Sequence, residues 1–347
     1  MTGRPSDRAS GSIRPGRTTP GVTKVDLLLN GVVVRSYQDG KQNQGAYLSV
    51  PFKLHNTDAD VTVRAFDAAG NHGEATSRVH VDTQGPLATV SPPFESFVSG
   101  VVTFTATGVS SDLARISLWD YATAREVAVT TAAPWTMKWD TAGRNEAAFV
   151  QINLTDKAGN STLLDGFYAV DNTGPAITAI TPGNRALVRG ATFPTSVRAS
   201  DPSGIREANL KGGYPVVAKP PFTVRASTGK DGLQTLTWTL TDRLGNTTTA
   251  KRVVVVDNTK PKAKITKAPA NGAEVKGTVK VAVSASDRNG INRVELLING
   301  KVVAKDAKGP YTFSVKTKKY GKKIKVQIRV YDKAGNVTKT RTRTWRR

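Results

Sequence analysis

The residues in this chain best suited to chemistry are carboxylates held in a repeated turn. Asp67-Ala-Ala-Gly70-Asn71, Asp156-Lys-Ala-Gly159-Asn160, Asp242-Arg-Leu-Gly245-Asn246 and Asp332-Lys-Ala-Gly335-Asn336 share one pattern, at steps of 89, 86 and 90 residues. Fifteen residues after each of the first three Asp comes another: Asp82, Asp171 and Asp257. Each of these opens a linker that ends in Pro86, Pro175 or Pro261. Carboxylate and carbonyl oxygens are what hard divalent cations bind. Asp67, Asp82, Asp156, Asp171, Asp242 and Asp257 are therefore candidate calcium ligands at the joints between repeats. The same residues also make a structural turn with no ion present. Asp accepts hydrogen bonds from its own turn backbone, and Gly supplies the left-handed conformation. Each linker offers a single carboxylate, whereas calcium sites draw on several. The turn is thus the favoured reading for Asp67, Gly70, Asn71, Asp156, Gly159, Asn160, Asp242, Gly245, Asn246, Asp332, Gly335 and Asn336, and neither a cofactor nor a metal is expected.

A fixed period of this length means tandem modules. The spacing divides the 347 residues into a polar tail over 1–21, an incomplete module over 22–86, and three further modules over 87–175, 176–261 and 262–347. The tail is rich in Gly, Pro, Ser, Thr and Arg and reads as disordered. Each full period is long enough for its own small core. The last module sets the template. Val279, Val281, Val283 and Ala285 alternate with polar residues, as do Val294, Leu296 and Ile298, and as do Ile324, Val326, Ile328 and Val330. That period of two marks half-buried strands. Asn299-Gly300 is a hairpin signal. About seven strands and no helical period predict an all-β, two-sheet sandwich. A strand opening in Pro-aromatic recurs at Pro51-Phe52, Pro134-Trp135, Pro221-Phe222 and Pro310-Tyr311. The first module begins at Val25-Asp-Leu-Leu-Leu29-Asn30-Gly31, which matches Val294-Glu-Leu-Leu-Ile298-Asn299-Gly300. It therefore lacks the first two strands of the template, as expected if the N-terminus is truncated.

Charge is the second signal. The formal net charge is +23, and residues 262–347 carry 23 Lys or Arg against 5 Asp or Glu, a net +18. Such asymmetry points to an anionic partner or surface. With Ile324 to Val330 inward, Lys323, Lys325 and Arg329 face outward. Lys339, Arg341 and Arg343 on the neighbouring strand are expected beside them. The six form a candidate patch for an anionic polysaccharide or cell-wall polymer. The plain alternative is a solvated face whose lysines block edge pairing. Nucleic acid is not expected, because no recognition helix or aromatic-basic interleaving accompanies the charge.

Other residue types narrow the classes. There is no Cys, so no disulfide or thiolate chemistry. His55, His72 and His80 show no metal-ligand spacing and read as exposed module residues. Trp135 and Trp139 read as core, and Trp119 beside Tyr121 as an exposed aromatic. No apolar run reaches the roughly 20 residues of a membrane span, and Met1–Arg8 has no secretory h-region. Acidic residues recur at turns in every module, which is how a scaffold uses them, and no enzyme is expected.

Gly277-Thr-Val279, the Ser286–Ile291 turn, Val294-Glu-Leu296, Asn299-Gly300, Gly309-Pro-Tyr311 and Tyr331-Asp-Lys-Ala-Gly-Asn336 together resemble the bacterial immunoglobulin-like domain repeats of secreted and cell-surface proteins. The resemblance spans roughly residues 22–347. It implies tandem Ig-like β-sandwiches, an extracellular or cell-surface location, and a non-catalytic spacer, adhesion or attachment role. The ending from Tyr320 to Trp345 looks like the C-terminal extension of some actinobacterial subtilisin-like peptidases. That implies a second possibility, the non-catalytic part of a secreted hydrolase. The Asp- and Pro-rich linkers resemble those of cadherins and imply a third, a calcium-rigidified adhesin. The acidic Leu-Asp-Arg-Glu motif of cadherins is missing.

Overall fold

The computed structural model describes residues 21–38 and 57–347. His55, Pro51-Phe52 and all but the last residue of the 1–21 tail lie outside the described residues. The described chain is built from strands, with one short 3-10 turn at Thr317–Lys319. It divides into two compact units, residues 1–170 and 171–347. The division falls at Asp171, where a linker was expected.

In the first unit, Val22–Leu29, Val32–Gln38, Thr57–Asp67 and His72–Val81 form one four-stranded sheet. Its outer strand Val32–Gln38 leaves Val32, Val33 and Val34 exposed, as the equivalent strand of the last module leaves Val302 and Val303. Residues 89–170 then form a complete module, a three-stranded sheet facing a five-stranded one. Its core contains Phe104, Ile116, Leu118, Trp139, Ile152 and Tyr168. Trp139 is buried as expected, and Trp135 packs half-buried against the same core.

The second unit contains two modules of the same plan. In the first, Ala176–Thr181, Thr192–Ser200 and Phe222–Ser227 form one sheet. Ala186–Val188, Ile205–Leu210, Gly232–Asp242 and Thr247–Val256 form the other. Trp238 sits fully buried between them. In the second, Lys262–Lys267, Thr278–Ser286 and Tyr311–Lys316 pair as one sheet, and Ile291–Ile298, Lys301–Asp306, Lys323–Asp332, Val337–Lys339 and Arg343–Arg346 as the other. Ile324, Val326, Ile328 and Val330 are all fully buried, so the alternation in the sequence marks the core face as the period-two rule requires.

One expectation about this module fails. The stretch carrying Lys339, Arg341 and Arg343, expected to be one strand beside Ile324–Val330, is not one regular strand. Arg329 pairs with Lys339 and Val326 with Arg343. Three steps on one strand are thus matched by four on the other, a bulge around Thr340–Thr342. The bulge is held by Thr340, whose Oγ1 accepts from the Ile328 N–H (3.1 Å) and whose carbonyl accepts from Gln327 Nε2 (2.9 Å). A one-residue slip turns every later side chain to the opposite face.

Candidate functional site

The repeated turns are the best-defined polar feature of the fold. Asp156 Oδ1 accepts from the Asn160 N–H (2.8 Å), Asp242 Oδ1 from the Asn246 N–H (2.8 Å) and Asp332 Oδ1 from the Asn336 N–H (2.8 Å). Asp67 does the same with Asn71 (2.9 Å). Gly70, Gly159, Gly245 and Gly335 all have positive φ, as the turn chemistry requires. The structure adds a second role that the spacing did not reveal. Asn160 Nδ2 donates to the Asp82 carbonyl (3.2 Å), Asn246 Nδ2 to the Asp171 carbonyl (2.8 Å) and Asn336 Nδ2 to the Asp257 carbonyl (2.8 Å). The turn therefore clips the incoming linker to its module. At the second clip the contact is close enough to exclude a side chain. A Cβ on Gly174 would lie 2.4 Å from the Thr247 carbonyl carbon.

Asn246→Ala should accordingly destabilise the first module of the second unit by about 1–3 kcal/mol, since it leaves a half-buried carbonyl and carboxylate short of a donor. Urea unfolding followed by Trp238 fluorescence would measure it.

Closing the clip gathers carboxylates. Oxygens of Asp82, Asp112 and Asp156 lie within 4.8 Å of one another, as do those of Asp171, Asp201 and Asp242, and those of Asp257, Asp287 and Asp332. Asp112, Asp201 and Asp287 were missed as candidates. They lie on a third segment, the turn between an early strand of each module and the next, 30 residues after the linker Asp in every case. A backbone bond fixes that turn beside the Asp-x-x-Gly-Asn turn: Lys157 N–H to the Asp112 carbonyl, Arg243 N–H to Gly204, and Lys333 N–H to Gly290, at 2.9, 2.9 and 3.0 Å. Burial pushes the Asp287 carboxyl above the ordinary range, and the neighbouring charges of Asp257 and Asp332 add to the rise. Asp67, named with the candidate ligands, joins no such cluster among the described residues.

The basic face of the last module differs from the expected row of six. Lys323, Lys325, Lys339 and Arg341 are exposed. Arg329 is outward but engaged: its guanidinium holds the buried Glu295 (2.6 Å) and lies over the Tyr331 ring. Arg343 is a correction. The bulge places it opposite the inward Val326, and its Nη1 donates to the carbonyls of Ala268 (3.1 Å) and Pro269 (3.0 Å). Three residues later Arg346 returns to the outer face beside Lys323. A shallow concavity there is lined by Asn271, Lys322, Lys323, Thr344, Arg346 and Arg347.

Exposed aromatics gather on the five-stranded sheet of residues 89–170. Trp119 is exposed as expected, on the strand Leu113–Asp120, and Tyr121 and Phe149 join it. Gln151, directly opposite Trp119, donates to Asp165 (2.9 Å). His72 and His80 are exposed, and His80 pairs with Asp58.

Residues 261–330 match the family model described as a bacterial Ig domain. A comparison with curated proteins gives no match. Among solved structures, the chain is similar to the fibronectin(III)-like modules of Clostridium thermocellum CbhA, with 19% identity over 50% of this chain and 93% of that one, at a TM-score of 0.38. It is also similar to a calcium-stabilised, ice-binding adhesin of an Antarctic bacterium, with 20% identity over 96% and 91% of the two chains, at a TM-score of 0.31. A tetra-tandem repeat from the extending region of a large adhesion protein gives 17% identity, 93% and 91% coverage, and a TM-score of 0.32. No activity is carried over from any of them. The match to a bacterial Ig domain covers residues 261–330 alone; the sheet pairing repeated in the described residues upstream shows that the chain is all-β and built from tandem Ig-like β-sandwich modules.

Proposed function

We propose that this chain is a non-catalytic spacer and attachment array of an exported or surface protein, and that its last module binds an anionic cell-wall polymer or polysaccharide. The spacer reading rests on the repeated module plan, in which the same turn, linker clip and carboxylate cluster recur at each junction instead of one concave site. Among the described residues no helix is long and apolar enough to cross a membrane.

The observation that carries the attachment reading is the cationic rim of Lys322, Lys323, Arg346 and Arg347 around one open concavity. Four exposed cations along one edge have no carboxylate partner in any ion pair of the described residues. An extended polyanion would meet several of them at once, and desolvation costs little on so open a surface. Binding should weaken with salt, since exposed charges are screened within about 8 Å at physiological ionic strength.

The test reverses Lys323, Lys325, Arg346 and Arg347 to Glu in the full chain. Arg329 and Arg343 are left alone because they hold Glu295 and the Ala268–Pro269 carbonyls. Affinity for immobilised polygalacturonate and for a phosphate-linked wall polymer should fall roughly 10- to 100-fold, about 1.4–2.8 kcal/mol. Unchanged, salt-insensitive binding by the reversed variant would make this edge a solvated face and nothing more.

A further inference from the structure

The three clusters of carboxylates recur at one place in the fold, where a linker enters its module. Each takes one Asp from the linker, one from the Asp-x-x-Gly-Asn turn and one from a third turn. Three carboxylates this close repel one another, and a fold that repeats the arrangement three times has a reason to hold them. No ion pair among the described residues involves any of the nine.

An independent observation points to a ligand. Asp257 is 2% exposed, Asp332 fully buried and Asp171 3% exposed. The Oδ2 atom of each has no hydrogen-bond partner in the protein, and at the first cluster the same holds for Asp112 Oδ1. A buried carboxylate oxygen without a donor is costly. In the third cluster the Oδ1 atoms are engaged locally. Asp257 Oδ1 accepts from the Thr259 N–H (3.2 Å), Asp287 Oδ1 from the Asn289 N–H (2.8 Å) and Asp332 Oδ1 from the Asn336 N–H (2.8 Å). In this third cluster one oxygen of each carboxylate builds the local turn, whereas in the other two both oxygens of Asp156 and of Asp242 accept from Asn160 and Asn246. In Asp257 and Asp332 the second is left free in the cluster.

We infer that each cluster is a binding site for a hard divalent cation of calcium's size, with Asp82, Asp112 and Asp156, then Asp171, Asp201 and Asp242, then Asp257, Asp287 and Asp332 as its carboxylate ligands. The donor set is all oxygen and carries three negative charges, with no His or Cys, which suits calcium and excludes the softer transition metals. Two segments of the module and one of the linker meet at each ion. Binding therefore ties the linker to the module, as the Asn clip does, and the site exists only when the junction is closed.

Calcium chloride titrated into the chelator-treated full chain, followed by calorimetry, should show three ions bound per chain and a rise in melting temperature of several degrees. Asp287→Asn keeps the Oδ1 acceptor for Asn289 and removes one charge. It should lose one ion and its share of the calcium-dependent rise, while melting no lower than wild type in EDTA. Asp112→Asn and Asp201→Asn should each do the same at their own clusters. Asp67→Asn, in the turn with no cluster, should leave the stoichiometry at three. No binding at millimolar calcium would overturn the inference, as would an Asp287→Asn variant equally destabilised with and without calcium. A magnesium effect equal to that of calcium would overturn the choice of ion, because magnesium holds its water and demands a tighter octahedron.

Discussion

Trp345→Ala should destabilise the last module by about 3–5 kcal/mol, the range for deleting a large buried aromatic. Trp345 is fully buried and lies opposite Ile324 at the end of the chain. Its indole N–H donates to the Pro269 carbonyl (3.3 Å). Around it, the Val275 N–H donates to the Arg346 carbonyl (2.8 Å) and the Arg346 N–H to the Ala273 carbonyl (2.9 Å). The final strand thus pins the loop that follows the opening strand. Removing the ring leaves a cavity between the sheets and frees both segments. Hydrogen exchange read by mass spectrometry on the peptide spanning Ile324–Val330 should lose protection, while peptides of residues 89–170 stay as they were. Equal protection in both regions would mean that the closing strand adds nothing to the core. Because Arg346 and Arg347 belong to the cationic rim, the variant should also lose polyanion affinity.

Arg293→Ala combined with Arg329→Ala should cost a comparable amount, about 3–5 kcal/mol, the penalty for leaving a buried charge without its partners. Glu295 is 2% exposed on the face away from the core. Arg293 Nε meets one oxygen (2.7 Å) and Arg329 Nη2 the other (2.6 Å). Arg293 also lies 3.6 Å from the centre of the Tyr331 ring. Burial pushes the Glu295 carboxyl up, but the hydrogen bonds and charges of the two arginines outweigh it and hold the group below the ordinary range. A depressed carboxylate stabilises the fold above its unfolded value of 4.5. That contribution is lost as pH falls through the lower folded value. In the double variant burial acts alone, so the folded value should rise and the sign should reverse, with stability gained as pH falls. Acid titration of the melting temperature would show the two slopes. Parallel curves would mean that the charge is solvated and the pair is ornamental. The first module uses the same position: Asp26 is 3% exposed and held by Lys24 (2.9 Å) and Ser36 (2.5 Å).

The sequence by itself determined the all-β, Ig-like fold of the repeats, their Asp-x-x-Gly-Asn turns and the buried faces of the main strands. These are local properties. Alternation of apolar residues reports a strand face directly, and Asp-x-x-Gly-Asn encodes its own turn within five residues. Only the tertiary structure decided the rest. Asp257, Asp287 and Asp332 are far apart in the chain and become neighbours only when the linker is clipped across two turns. From the linker alone one carboxylate was visible, and a cation site looked too poor in ligands. The cationic row was misread for a related reason. Arg343 sits at the correct alternation for an outward residue, but the bulge held by Thr340 shifts the pairing by one and turns its guanidinium to Ala268 and Pro269. Alternation along a strand is a short-range rule, while register and clustering are set by which distant backbones pair.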